Sequence, residues 1–289
     1  MSARLPITKT PKVYVGGAFI RSESGRTYPI RDAAGSFSAN IPQCTRKDLR
    51  NAVEAAAKAG PGWAKRTAYN RGQILYRLGE MLEARASELG DALRLGGASK
   101  AAAAKEVTAS VDRLIYYAGW ADKYEQVLGN VNPVAAPYFN FTVTEPMGIV
   151  GVIAPDEAPL LALLSLVVPA ITSGNTVVAL ASSAQPYPAI VLGELLATSD
   201  LPGGVVNLLT GFRKELVPTF ATHTHLRAIS AVVNADERKA LALGAADSVK
   251  RTRLLKSEVR TDWFADAAQS LYAIRDYVEF KTIWHPIGA

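Results

Sequence analysis

Short apolar runs that alternate with helical stretches mark this as an α/β chain. From Ile149 onward the β-branched runs Ile149–Ala154, Thr176–Leu180, Val205–Leu209 and Ile229–Val233 are separated by helical stretches. Those stretches are Pro159–Thr172, Pro188–Thr198 and Lys214–Thr222, with Ala235–Ser248 after the last run. Strands that are apolar throughout and linked by helices predict a parallel sheet covered on both faces. Each crossover is then right-handed. Two further observations complete the expectation: helical periodicity ahead of this half, and alternating segments on either side of it. Together they predict a Rossmann-like parallel sheet with helices on both faces, an N-terminal helical segment, a half-buried strand ahead of the sheet, and a C-terminal strand.

Taken in order, the chain opens on an extended arm, Val13–Ile41, with turn signals at Gly16-Gly17 and Gly25. Asp48–Ala59, Thr67–Leu95 and Lys100–Leu128 then carry apolar residues at helical spacing. In the last of these Val107, Val111, Leu114, Ile115 and Ala118 fall on one face. Gly96-Gly97 separates the second helix from the third. Pro137–Glu145, "PYFNFTVTE", alternates Phe139, Phe141 and Val143 with Asn140, Thr142 and Thr144, the pattern of a half-buried strand. Beyond the parallel sheet, a helix over Asp262–Arg275 leads into "DYVEFKTIWHPIGA", where Val278, Phe280, Thr282 and Trp284 alternate. The expected organisation is therefore 1–256 for arm, helices and sheet, including strand 137–146, and 257–289 for a terminal helix and strand. No internal repeat is present, and the only biased segment is Ala101–Ala104.

Composition narrows the function classes. A chain of 289 residues, 49% hydrophobic, 8% aromatic and 20% charged, has an ordinary globular profile with ample core. The longest apolar stretch, Ala158–Ile171, is interrupted by Ser165 and is shorter than a membrane span. The opening "MSARLPITKTPK" lacks the apolar centre of a signal peptide. Cys44 is the only cysteine, so no intrachain disulfide can form and a reducing cytoplasm is the expected location. The 32 basic residues outnumber the 26 acidic ones, but they are spread along the chain. The densest run, Lys250–Lys256 ("KRTRLLK"), reads as a solvated face, and neither nucleic acid nor membrane is expected as a partner.

The ordered blocks "YYAGWADKYEQVLG" (Tyr116–Gly129), "EPMGIVGVIAP" (Glu145–Pro155), "PAITSGNTVVAL" (Pro169–Leu180) and "LPGGVVNLLTG" (Leu201–Gly211) carry a resemblance. So does the terminal "EFKTIWHPIG". With these, the chain resembles the aldehyde dehydrogenase superfamily from about Val13 to Lys256 and again over its last dozen residues. In that family a catalytic domain bearing a nucleophilic cysteine follows the nucleotide-binding domain. Here only Lys256 to Asp262 separates the sheet from the terminal helix, so the resemblance implies that the catalytic domain is missing.

The same resemblance implies altered sites. The family's Pro-Trp-Asn-Phe-Pro, whose asparagine helps to stabilise an oxyanion, is "PDEAP" at Pro155–Pro159. A carboxylate at Glu157 would repel developing negative charge. Asp156 and Glu157 are expected to be solvated, or to favour the helix that Pro159 opens. The family's Lys-Pro-Ser-Glu, which holds the adenosine ribose, is replaced by the uncharged "LASSAQP" at Leu180–Pro186. Its glycine turn near the cofactor diphosphate is replaced by "VVNADERKALAL" at Val232–Leu243, with Asp236 and Glu237 in the first turn. Close approach of a phosphate needs glycine and free helix N-terminal amides. No NAD(P) site of the family's kind is therefore expected. Pro155, Glu157, Leu180, Ser182 and Asn234 are the expected lining of what remains of the pocket.

Other candidates read more plainly. Cys44 lies far from the family's nucleophile position and is expected to be an inert small side chain. His223 and His225 ("THTH") lack a third ligand at suitable spacing, so no metal is expected. His285 is expected to pack or hydrogen-bond at an interface. Tyr116, Tyr117 and Trp120 are expected to be core residues.

The strand Tyr138–Glu145 and the tail Tyr277–Ile287 resemble the family's bridging hairpin, which extends a neighbour's sheet by strand addition. The expected interface residues are Phe139, Phe141, Val143, Phe280, Thr282 and Trp284. A lone copy would expose unpaired edges and an apolar face. The expectation is a non-catalytic aldehyde-dehydrogenase-like subunit held in a hetero-oligomer with a full-length active homologue, as scaffold, stabiliser or regulator. Two alternatives stay open: an oxidoreductase subunit whose site a partner completes, and a nucleotide or metabolite sensor.

Overall fold

The computed structural model describes residues 9–32 and 34–288. The arm is four short strands, β1 (Val13–Val15), β2 (Ala18–Ile20), β3 (Thr27–Arg31) and β4 (Phe37–Pro42). The β1–β2 turn holds Gly16 and Gly17 at φ 63° and 85°, where a side chain would be strained. A Cβ on Gly17 would also meet Gly203 Cα at 3.0 Å, so the turn is pressed against the body.

Five helices follow: α1 (Arg46–Ala64), α2 (Ala68–Ala84), α3 (Ala86–Leu95), α4 (Lys100–Trp120) and α5 (Tyr124–Leu128). Two of the expected helices are thus each divided. The Thr67–Leu95 helix breaks at Arg85, which leaves helical geometry at φ −109°, ψ 24°. Its guanidinium there pairs with Glu88 and with Glu194, 2.9 Å away on a later helix, so the change of direction is held by charge. The Lys100–Leu128 helix ends at Trp120 and resumes only at Tyr124. Ile115, expected on the buried face of α4, is 37% exposed, while Val107 and Leu114 are buried. Tyr117 is buried, and Tyr116 and Trp120 pack partly buried against the same core.

The remaining elements are β5 (Asn130–Asn132), β6 (Tyr138–Pro146), β7 (Ile149–Ile153), α6 (Leu161–Thr172), β8 (Thr176–Leu180), α7 (Tyr187–Leu196) and β9 (Val206–Leu209). After them come α8 (Arg213–Thr222), β10 (Leu226–Val233), α9 (Ala235–Ala246), β11 (Arg251–Lys256), α10 (Leu271–Arg275) and β12 (Val278–Pro286). The main sheet runs β11-β10-β7-β8-β9-β1-β2. Its first five strands are parallel, and the arm adds β1 and β2 antiparallel at the far edge. All twelve residues of α6 are buried, because the sheet lies on one side and α2 and α4 on the other. Among the described residues no helix is long and apolar enough to cross a membrane.

The basic run Lys250–Lys256 is not a solvated face; all of it beyond Lys250 forms the edge strand β11. Lys250 Nζ donates to Ala221 O at 3.0 Å, and Arg251 donates to Val278 O at 2.7 Å. Arg253 lies 3.3 Å from the Asp276 carboxylate. Three of the run's four cations therefore clasp a helix end and the root of the tail.

The expected helix over Asp262–Arg275 is mostly a strap, helical only as a 3₁₀ turn at Asp266–Ala268 and in α10. The reason is Arg113, itself buried in α4. It donates to Trp263 O (2.8 Å), Ala268 O (3.0 Å) and Gln269 Oε1 (3.2 Å), so it takes carbonyls that an α-helix would satisfy internally. Trp263, 5% exposed, joins the same apolar cluster as α4 and α6. The strap thus covers apolar surface that the sequence reading left bare. Leu271, Ile274, Tyr277 and Val278 belong to this cluster too.

Candidate functional site

In an open parallel sheet, ligands sit beyond the strand C-termini where the strand order reverses. Here the chain moves from β7 outward through β8 and β9, then returns to place β10 on the other side of β7. The crevice to inspect therefore lies between the ends of β7 and β10. Arg213, at the start of α8, spans it. Its guanidinium donates to Ala154 O at the end of β7 (3.0 Å) and to Val232 O near the end of β10 (2.6 Å). It also grips both carboxylate oxygens of Glu237, at 2.8 and 2.7 Å.

Glu237 does a second job. With Asn234 it closes the N-terminus of α9: Asn234 Oδ1 accepts from the Glu237 amide at 2.9 Å, and Glu237 Oε2 accepts from the Asn234 amide at 3.2 Å. Burial alone would raise the Glu237 carboxyl, but the Arg213 hydrogen bonds and charge outweigh it and hold the group below its ordinary value.

The expected pocket residues do not converge. Pro155, Leu180 and Ser182 are buried together at the ends of β7 and β8. Ser182 Oγ donates to Asp156, which also accepts from the Ala184 amide at 3.2 Å. Asp156 is therefore not simply solvated; it ties the β8 turn to the β7 turn. Asn234 stands on the β10 side as a helix cap. Glu157 turns the other way, into a cleft of about 700 Å³ with Lys105, Glu106, Arg260 and Asp262. Nor do the adjacent carboxylates serve the helix that follows. Buried Glu106 reaches across from α4 and accepts from the Leu160 and Leu161 amides at 2.9 and 3.2 Å. Burial pushes its carboxyl up, with the two amides opposing.

These residues do not fit a dinucleotide. A diphosphate at the switch point needs backbone to approach closely and amides free to donate. Here a guanidinium bridges the two strand ends, the start of α9 is closed by the Asn234–Glu237 cap, and Asp156 closes the turn beside β8. The signal for Arg213 in the sequence was weak, because a single arginine after a strand belongs to no motif. The spacing Asn234-x-x-Glu237 is the mark of a capped helix start, a signal that the sequence carries and that the expectations for Val232–Leu243 left out.

Cys44 is wholly buried, and burial pushes its thiol up to about 12. The thiolate needed for nucleophilic attack is suppressed at such a site. His223 and His225 stack edge-on with ring centres 5.8 Å apart. Burial is the first cause lowering the His223 pKa, with His225 and Lys250 adding to it. Among the described residues no cluster of three or more His, Cys, Asp or Glu could hold a metal.

The tail forms a separate sheet, β12-β6-β5, within the chain. Its register divides the six expected interface residues. Phe280 stands opposite Thr144, Thr282 opposite Thr142 and Trp284 opposite Asn140, so these share one face. Phe139, Phe141 and Val143 share the other, opposite His285, Ile283 and Lys281, with Val131 of β5 beside Phe141. The expected burial is also inverted at one end: Asn140 is buried while Phe139 is 45% exposed. On the Asn140–Thr144 side, Asn132 Nδ2 of β5 donates to Asn140 Oδ1 at 2.6 Å, a bond between two strands of this sheet. His285 is exposed on the Phe139 face.

Comparison with known proteins agrees with this architecture. Retinal dehydrogenase 2 of Gallus gallus is 34% identical over 228 residues, covering 77% of this chain and 43% of that protein. An aldehyde dehydrogenase of Alternaria alternata is 33% identical over 222 residues, covering 75% of this chain and 44% of its own length. Among solved structures, the NAD+ complex of an aldehyde dehydrogenase from Bacillus cereus superposes with a TM-score of 0.82 at 26% identity. That match covers 86% of this chain and 51% of the other. The chain thus spans about half the length of the relatives it matches. Residues 19–256 match the profile of the aldehyde dehydrogenase family, and the chain belongs to that family.

Proposed function

We propose that this chain is a non-catalytic aldehyde-dehydrogenase-like subunit that associates, through its three-stranded sheet, with a full-length active member of the same family. One observation carries the reading. The sheet holds large apolar side chains that its own chain leaves open: Val131 is 59% exposed, Phe139 45%, Phe280 46% and Trp284 58%. Exposed apolar groups gathered on a sheet mark an interaction surface. β12 is an edge strand nine residues long, and its free side suits strand addition. A buried thiol at the only cysteine supports the non-catalytic half of the reading.

The test is to purify the tagged chain from its native host and identify what accompanies it. A full-length aldehyde dehydrogenase in fixed stoichiometry is the expected companion. The purified chain alone is expected to oxidise no aldehyde with NAD or NADP. Thiol-dependent turnover that disappears in Cys44→Ala would overturn the non-catalytic assignment.

A further inference from the structure

We infer that the crevice between β7 and β10 is sealed from within: Glu237 is a built-in anion at the seat a dinucleotide diphosphate takes in a doubly wound sheet, and Arg213 is its clamp. A site for a diphosphate offers two resources, helix N-terminal amides and a cation. Both are present here: the cation is engaged by the Glu237 carboxylate, and the helix start is closed by the reciprocal Asn234–Glu237 cap. The Glu237 amide donates to Asn234 Oδ1, the amide of the cap residue Asn234 donates to Glu237 Oε2, and the guanidinium fork closes on the same Glu237.

Four of the five guanidinium N–H groups are used, by Ala154 O, Val232 O and the two carboxylate oxygens. The pair is largely withdrawn from solvent, with the Arg213 and Glu237 side chains 20% and 17% exposed. An incoming diphosphate would have to break the fork and would meet the displaced carboxylate as a like charge. The two carbonyls that Arg213 bridges belong to the strands on either side of the switch point, so the same contact staples the two halves of the sheet together. A pair that replaces a ligand should contribute to stability where a bound ligand otherwise would.

The test uses the whole purified chain and needs no partner, so it stands apart from the proposed function. Titration with NADH, followed by its fluorescence, is expected to give no saturable signal at millimolar ligand. Arg213→Ala and Glu237→Gln are each expected to lower Tm by about 3 °C, given the few degrees that one broken contact is worth in a domain of this size. The double variant should fall little further than either single one, because both remove the same interaction. If Arg213→Ala fails to fold, Glu237→Gln keeps the side-chain shape and carries the test alone. Saturable NADH binding by the unaltered chain, weakened tenfold or more in Arg213→Ala, would make Arg213 a ligand contact and overturn the seal. Unchanged Tm in Glu237→Gln would overturn it as well.

Discussion

In the main sheet every residue of β7, β8 and β9 is buried, whereas β12, equally rich in apolar residues at alternate positions, is buried only at Val278. The two regions spend the same kind of side chain differently. Helices cover both faces of the main sheet, and its polar crevice is closed by Arg213 and Glu237. The tail sheet is anchored at its root by Arg251 and Arg253, then runs outward with Phe280 and Trp284 on one face and Phe139 and Phe141 on the other. Apolar content alone does not separate a core strand from an exposed one. What separates them is whether the chain supplies a covering layer.

The contrast can be broken most severely by removing the outer strand. Deleting residues 280–289 is expected to abolish association with the active homologue, while the far-UV spectrum keeps the signature of the main sheet and its helices. Loss of that signature would mean the tail is needed for folding, and the two regions would not be separable.

A matched pair of truncations sharpens the same point. Leu163→Ala, at a fully buried site in α6, should lower unfolding free energy by about 3 kcal/mol, as a cavity in a packed core does. Trp284→Ala should leave thermal stability nearly unchanged and weaken the complex by ~2 kcal/mol, as expected of an aromatic anchor. Phe139→Ala, measured beside it, tells which face of the tail sheet the partner uses, since the two residues point in opposite directions.

The smallest effect concerns pH. Glu237 is held below its ordinary pKa of 4.5, so its contribution to stability is complete above that value and is lost as pH falls through the depressed one. Melting curves between neutral and acid pH should show a decline that Glu237→Gln lacks. Equal acid sensitivity in both chains would remove the ion pair from the account of the sealed crevice.

The parallel strands were legible because each is a short, mostly aliphatic run rich in β-branched residues and bounded by helical stretches; Thr176–Leu180 matches to the residue. β11 was not, because an edge strand tolerates charge, and "RTRLLK" carries the charges that discourage pairing with another chain. The strap was misread as a helix because its alanines fit helical periodicity; only the three-dimensional reach of Arg113 decides otherwise. At the candidate site, the lost glycine turn was visible from "VVNADERK", but its replacement was not. Arg213 and Glu237 are 24 residues apart and meet only when α8 and α9 pack together. The division of the interface residues was hidden for a similar reason, since register between β6 and β12 joins segments 140 residues apart at Thr142 and Thr282.

Hydrogen exchange read by mass spectrometry, on the chain alone and mixed with the proposed full-length family partner, tests the central claim most directly. The account predicts that amides of the main sheet are equally protected in both samples, while those in 130–146 and 278–288 gain protection only with the partner. Protection gained elsewhere with these segments unchanged, or no gain anywhere in a complex that forms, would contradict it.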